Sequence, residues 1–347
     1  MKLNNICDKL SELEKLKVAV IGDYCLDQYM YIDAAHDKSH DYHQKKSYVV
    51  SHIESYPGGA GNVVKNFASL GVGVICVGVT GADGIGLELK EQLSRIGADT
   101  EYLITSHEKI TNTCIRPIRK INNKTFELNE MLTENYTQTS EYLIDTIISN
   151  LQKVVKSVDA MVFIEQFDKE DFGIFNKKVK EKITQLALAN DKIIFLADSR
   201  KYIDNYSNIY IKCNQYEFND TLNYNLTGDR EQLDVAELLG VINNLSNFKS
   251  IFITTGKDGM KVYNKNDEIM YDIPAINIRG KINTCGAGDS ATVGIVIGLC
   301  LGYNTIQSAF LGNIIASVTI QDLHSTGSAS VDDVIKILTQ IEKKSSS

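Results

Sequence analysis

Short runs of β-branched and aromatic residues constrain the fold of this chain more than any other feature. They are VAVIG (18–22), VICVGVTG (74–81), AMVFIE (160–165), KIIFLAD (192–198), NIYIKCN (208–214) and SIFITTG (250–256). Each is nearly unbroken rather than alternating, as in strands buried on both faces of a parallel sheet. Helix-like segments lie between them: GNVVKNFASLG (61–71), GLELKEQLSRIG (86–97), SEYLIDTIISNLQKVV (140–155) and DVAELLGVINNLS (234–246). This alternation predicts a doubly wound, mostly parallel α/β sheet with helices on both faces.

Two stretches break the rhythm. Residues 28–56 are polar and rich in Tyr and His. Residues 99–130 contain YLITS, TCIRPIRK and KTFELNE, which read as short antiparallel strands. Together they predict a small sheet outside the main one, a β-sheet lid. Residues 1–15 read as an amphipathic helix and 336–347 as a tail, with no linker to mark a second domain.

Apolar residues make up 43 % and charged residues 23 % of 347, enough to bury a large core without disulfides or a structural metal. The net charge of −8 argues against a nucleic-acid surface. Seven Cys, an odd number with no C-x-x-C pair, read as reduced thiols of a cytoplasmic protein. The N-terminus lacks a signal-peptide apolar region, and the longest apolar stretch, 291–303, is too short to span a bilayer.

Glycine-rich turns carry the chemistry. In NTCGAGDSATVG (283–294), Gly286, Ala287 and Gly288 precede Asp289 at the mouth of an apolar helix. The first N–H groups of a helix have no internal partners and, with the helix dipole, form an anion hole. A carboxylate there can take a proton from a substrate hydroxyl beside a phosphate cradle. Asp289 read as a simple helix cap is equally consistent with this motif alone.

In YPGGAGNVVKNFASLG (56–71), Gly58 and Gly59 permit close approach and Asn62 offers a donor and an acceptor for sugar hydroxyls. An ordinary tight turn is the slightly preferred alternative. GDYCLD (22–27) puts Asp23 and Asp27 at a strand's carboxyl end, where open α/β sheets bind ligands and one carboxylate can take two hydroxyls of a polyol; a plain turn cap is the alternative for either Asp. Asn214 and Glu217 in NQYEF are spaced to order water around Mg²⁺ and phosphate, although a capping box is the preferred reading of the pair in isolation. TTGKDGM (254–260) reads as a turn lying against a nucleotide or as a plain hairpin. The six His show no metal-ligand spacing; His36, His40, His43 and His52 all fall in the lid segment. Neither a G-x-G-x-x-G fingerprint nor a P-loop occurs.

In this order the motifs resemble those of the ribokinase-like sugar kinases, the phosphofructokinase-B family, over about residues 16–335. PGGAGN and GAGDS are the most specific parts. GDYCLDQYMYID and KIIFLADSRKY, with Asp198 retained, are most similar to bacterial D-glycero-D-manno-heptose 7-phosphate kinases. The resemblance implies a ribokinase-like fold with a β-sheet lid and an ATP- and Mg²⁺-dependent carbohydrate kinase. It implies Asp289 as catalytic base, with Gly286, Ala287 and Gly288 as the anion hole. Sugar binding falls to Asp27, Gly58, Gly59 and Asn62, with Gln166 and Lys169 beside them. Nucleotide binding falls to Asn214, Glu217, Thr254, Gly256, Gly259 and Asn313, with Glu217 holding Mg²⁺ through water.

The implied substrate is a sugar or sugar phosphate, phosphorylated on the anomeric hydroxyl of a heptose 7-phosphate. A homodimer through the lid is expected, with neither nucleic acid nor membrane as partner. Asn283 stands where the family usually has Asp, which leaves a monovalent cation open, and the HDKSHDYHQKK lid segment differs from that of the heptose kinases. A kinase for another sugar or nucleoside, or a non-catalytic sensor on the same fold, stays open at this point.

Overall fold

The computed structural model describes residues 9–40, 45–122, 124–167, 169, 171–225, 247–323 and 326–345. The helical readings at 1–8 and 234–246, and His43, lie outside the described residues. The strands are β1 (Lys17–Gly22), β2 (Tyr24–Asp33), β3 (Lys38–His40), β4 (Lys45–Ser47), β5 (Val50–Gly59), β6 (Gly73–Gly81), β7 (Leu103–Ser106), β8 (Asn112–Ile121), β9 (Lys124–Glu127), β10 (Met131–Thr133), β11 (Ala160–Glu165), β12 (Ile194–Ser199), β13 (Tyr210–Asn214), β14 (Ser250–Thr254), β15 (Met260–Asn264) and β16 (Ile269–Ile273). Nine of them form one sheet in the order β16-β15-β14-β13-β12-β11-β1-β6-β7, parallel from β14 to β7 with an antiparallel edge at β15 and β16.

Each apolar run quoted above supplies a parallel strand of this sheet. On β1, Val18 and Val20 enter one apolar core, while Ala19 and Ile21 enter a second on the opposite face. Helices Ala60–Ser69, Gly84–Arg95, Ala287–Cys300, Thr305–Thr319 and Val331–Ser345 cover the first face. Helices Glu141–Val154 and Lys177–Ala189 cover the second. A strand with two buried faces has no solvent side, which is why these runs lack alternation.

The helix Ala287–Cys300 is buried along most of its length and packs against Thr305–Thr319. Glycine sets how close they come: a Cβ on Gly294 would stand 2.6 Å from the Gly312 Cα, and one on Gly298 2.7 Å from the Ser308 Cα. This tight pair holds the start of the first helix at the carboxyl ends of the strands.

The small sheet has the order β10-β8-β2-β5, with β9 paired to β8, and β3–β4 form a separate hairpin. Two expectations are corrected, and a third is extended. YLITS is not a lid strand: β7 pairs parallel with β6 and forms the edge of the main sheet. TCIRPIRK, in β8, pairs antiparallel with β9 and β10 as expected, and on its other side runs parallel to β2, because both leave the main sheet from carboxyl ends, β2 after β1 and β8 after β7. Residues 336–345 are no tail; they lie in the helix Val331–Ser345, which buries Val334 and Leu338, and 346–347 lie outside the described residues.

Candidate active site

Two clefts meet at the start of the helix Ala287–Cys300. One, of about 1180 Å³, is walled by Thr254, Gly256, Gly259, Asn313 and the 274–282 segment. The other, of about 660 Å³, lies between the main sheet and the lid and is lined by Asp23, Asp27, Arg116, Glu130, Gln166 and Asp289 among others. Lys212, Asn214 and Gly288 line both.

Gly286 enters the helix with φ +77°, and a Cβ there would stand 2.7 Å from the Asn62 Nδ2. Glycine is therefore required twice over, by conformation and by space. The Ala287 N–H donates to the Thr284 carbonyl at 3.2 Å. Among the described residues, the N–H groups of Gly286, Gly288 and Asp289 have no carbonyl partner. The N–H groups left open at this helix start thus include that of Asp289, while the Ala287 N–H is turned to Thr284.

Asp289 is reached from the sheet-and-lid cleft and hemmed in elsewhere. This enclosure pushes its carboxyl up to about 6; the Asn62 hydrogen bond and the cations of Lys212 and Arg200 pull the other way. The Asn62 Nδ2 donates to the Asp289 Oδ2 at 2.6 Å. Among the described residues, the Asp289 side chain accepts no hydrogen bond from a backbone N–H of its own helix, so it is not a side-chain cap. Its carboxylate faces the cleft.

Of the residues that the resemblance assigns to the sugar, Asp27, Gly59, Asn62 and Gln166 line the sheet-and-lid cleft. Asp27 lies on β2, opposite Tyr56 of β5. Burial raises its pKa, and the Arg116 charge opposes that rise. Gly58 is behind Asp27 rather than in the cleft wall; a Cβ there would stand 2.7 Å from the Asp27 Oδ1. Gly59, with φ +56°, lets the chain pass close to the Asp23 carbonyl. Gln166 lines the cleft, and its N–H donates to the Asp23 Oδ2 at 2.9 Å. Burial pushes the Asp23 carboxyl up to about 7 against that hydrogen bond. Lys169 is not in the wall of either cleft; its ammonium lies over the rings of Tyr136 and Phe172, at 5.2 and 5.5 Å from their centroids.

On the other side, Asn214 and Glu217 form a reciprocal cap. The Asn214 N–H donates to the Glu217 Oε2 at 2.7 Å, and the Glu217 N–H to the Asn214 Oδ1 at 2.9 Å. The capping box is therefore real, and it also fixes both side chains in the wall. One Glu217 oxygen is taken by the cap; burial, then Asp198, raises its pKa. A carboxyl raised by a neighbouring carboxylate suits a water-mediated Mg²⁺, which would relieve that repulsion. The Asn313 Nδ2 donates to the carbonyls of Ile273 and Pro274, both at 3.1 Å, pinning the segment that walls the larger cleft. Gly259, with φ +104°, closes the turn after β14.

Sequence reasoning missed Lys212. This buried lysine donates to the Asp198 Oδ2 at 2.8 Å and lies under Gly288, where a Cβ would be 3.1 Å from its Nζ. Burial pulls its pKa down, but Asp198 and Glu217 outweigh that and raise it overall. The Thr292 hydroxyl also donates to Asp198, at 2.9 Å. A lysine near the carboxyl end of an otherwise apolar strand was the available signal. Arg116 was missed too; its Nε donates to Glu130 at 2.7 Å.

A profile of the pfkB family of carbohydrate kinases matches residues 15–332. The bifunctional protein HldE of Aliarcobacter butzleri is 24 % identical over 340 residues, covering 96 % of this chain and 66 % of that protein. HldE of Desulfatibacillum aliphaticivorans is 24 % identical over 324 residues, covering 93 % and 63 %. The chain thus spans a little under two thirds of the length of these relatives. Among solved structures, phosphofructokinase-2 from Escherichia coli in complex with potassium superposes with a TM-score of 0.69 at 17 % identity, covering 94 % of this chain and 99 % of that one. Ribokinase from Arabidopsis thaliana, complexed with ribose and ATP, gives 0.66 at 14 %, covering 93 % and 98 %. The likeness in fold, the two joined clefts and the matched profile agree: this chain belongs to the pfkB family of carbohydrate kinases.

Proposed function

We propose that this protein transfers the γ-phosphoryl group of ATP to the anomeric hydroxyl of a heptose 7-phosphate, or of a similar sugar phosphate, with Asp289 as general base. One observation carries the reading: the Asp289 carboxylate, held by Asn62, stands where the two clefts join, beside unpartnered N–H groups of a helix start. The larger cleft takes the nucleotide, with Thr254, Gly256, Gly259 and Asn313 along its walls. Its phosphates reach the N–H groups of Gly286, Gly288 and Asp289 and the Lys212 ammonium. Asn214 and Glu217 hold the waters of Mg²⁺, which offsets phosphate charge when bound.

The acceptor enters between Asp27, Asn62 and Gln166. A carboxylate with a pKa near 6 is ionised at neutral pH and is a better base than an unperturbed Asp. It takes the hydroxyl proton as the oxygen attacks phosphorus. The Asn62 amide orients it by holding the other carboxylate oxygen. The lid excludes water, which would otherwise compete as acceptor. The likeness to the HldE proteins and the GDYCLDQYMYID segment support the heptose choice.

The lid leaves Ile53, Met131 and Leu132 exposed. A second copy pairing through this sheet is part of the reading, and light scattering in solution tests it.

Coupled ADP release over a panel of sugars and sugar phosphates tests the activity, with ³¹P spectra locating the new phosphate. Turnover with heptose 7-phosphate and an anomeric phosphate product are expected. Turnover only with non-phosphorylated sugars or nucleosides would replace the acceptor. Binding of ATP and sugars without ADP release from any of them would remove the kinase reading.

A further inference from the structure

We infer that Arg200 is a further catalytic residue, whose guanidinium meets the equatorial oxygens of the phosphoryl group during transfer. The inference rests on the kinase reading above and adds a residue to it. Arg200 directly follows β12, and its N–H donates to the Glu165 carbonyl at 3.1 Å. Its main chain is thereby fixed at the carboxyl ends of β11 and β12, while its side chain is exposed and lines the sheet-and-lid cleft.

The charge balance of that cleft singles it out. Asp23, Asp27, Glu130, Glu217 and Asp289 all line it, and a nucleotide triphosphate brings more negative charge. The other cations in the wall are already engaged: Arg116 with Glu130 at 2.7 Å, and Lys212 with Asp198 at 2.8 Å. Among the described residues, the Arg200 guanidinium makes no ion pair and no hydrogen bond. An exposed arginine in an acidic cleft, without a partner, is set to meet an anion that arrives with the substrate.

Its position says which anion. Arg200 lines the sheet-and-lid cleft together with Asp289, Cys25 and Glu217, so it shares the cleft with the carboxylate that takes the proton. A phosphate already on the acceptor is at the far end of the sugar from the reacting hydroxyl. In the step, the acceptor oxygen bonds to the γ-phosphorus and the bond from phosphorus to the β,γ-bridging oxygen breaks. That oxygen leaves with the electron pair as part of ADP, and the hydroxyl proton goes to Asp289. Negative charge spreads over the three equatorial oxygens in between, where a planar, permanently charged fork is worth most.

The test is ADP binding by calorimetry, with Mg²⁺, in the presence and absence of aluminium fluoride as a mimic of the phosphoryl group in flight. Wild type should bind ADP roughly 100-fold or more tighter with the fluoride. Arg200→Ala should bind ADP alone within about threefold of wild type, yet lose most of the gain, and Arg200→Lys should recover part of it. An unchanged gain in Arg200→Ala overturns the assignment and leaves the kinase reading intact. A wild type that binds ADP but gains nothing from fluoride overturns both. In turnover, Arg200→Ala should lower kcat about 100-fold or more with KM for ATP little changed, and free guanidinium should restore part of the rate. It should also move the acid limb of the pH profile upward, because a cation facing Asp289 is gone. A fall confined to KM for phosphorylated acceptors would assign Arg200 to the acceptor's own phosphate and overturn the inference.

Discussion

Replacing Asp289 by Asn should harm catalysis and help stability at the same time. The two side chains are nearly isosteric, and the substituted amide would still present an oxygen to the Asn62 Nδ2 that now donates at 2.6 Å. What is lost is the ability to take a proton. General-base removal costs about 10²–10⁴ in kcat. The stability effect follows from the carboxyl being raised from 3.8 to about 6 on folding. A group raised in the folded state contributes stability that is complete below its unfolded pKa and is lost as pH rises through the folded value. A shift of roughly two units is at most about 3 kcal/mol, and cleft water screens part of it. The variant cannot ionise and keeps that stability, so it should melt a few degrees above wild type near pH 8, with the gap closing towards pH 4. ADP affinity should stay within about threefold of wild type. Kinetics beside thermal melts across that range check both arms. A variant within tenfold of wild-type kcat, or one that melts lower near pH 8, would refute the reasoning.

Lys212→Met should leave Asp198 buried without its cation, costing about 3–5 kcal/mol in denaturant unfolding, and should weaken ATP binding in calorimetry. Gly286→Ala puts a side chain at φ +77° and against the Asn62 amide. Left-handed strain alone is about 1–2 kcal/mol, so a lowered melting point together with a kcat loss of tenfold or more is expected. Full activity in that variant would mean that Asn62 does not need its place beside Asp289.

The sequence made the main sheet legible because strands buried on both faces have no alternation to disguise them. VAVIG and AMVFIE became adjacent central strands, β1 and β11. YLITS was misplaced because β7 is a short edge strand with Thr105 exposed, and an edge has less apolar character than the centre. The relative direction of β2 and β8 could not be read locally, since it follows from which end of the main sheet each one leaves. The glycine turns were legible because they need special φ or bare backbone. Lys212 and Arg200 were not, because a single cation outside a motif has meaning only once the fold shows which carboxylates surround it. The Asn214–Glu217 pair was read as a cap or as a ligand site; the structure shows the cap, and the two side chains stand in the cleft wall as well.

The pH dependence of kcat/KM for the acceptor tests the central claim most directly. Asp289 must be ionised to act, so the rate should fall with unit slope as pH drops below about 6 and stay level above it, and this limb should survive in Asp23→Asn. A profile flat from about pH 5 to pH 8, or a limb that vanishes with Asp23, would contradict the assignment of Asp289 as the base.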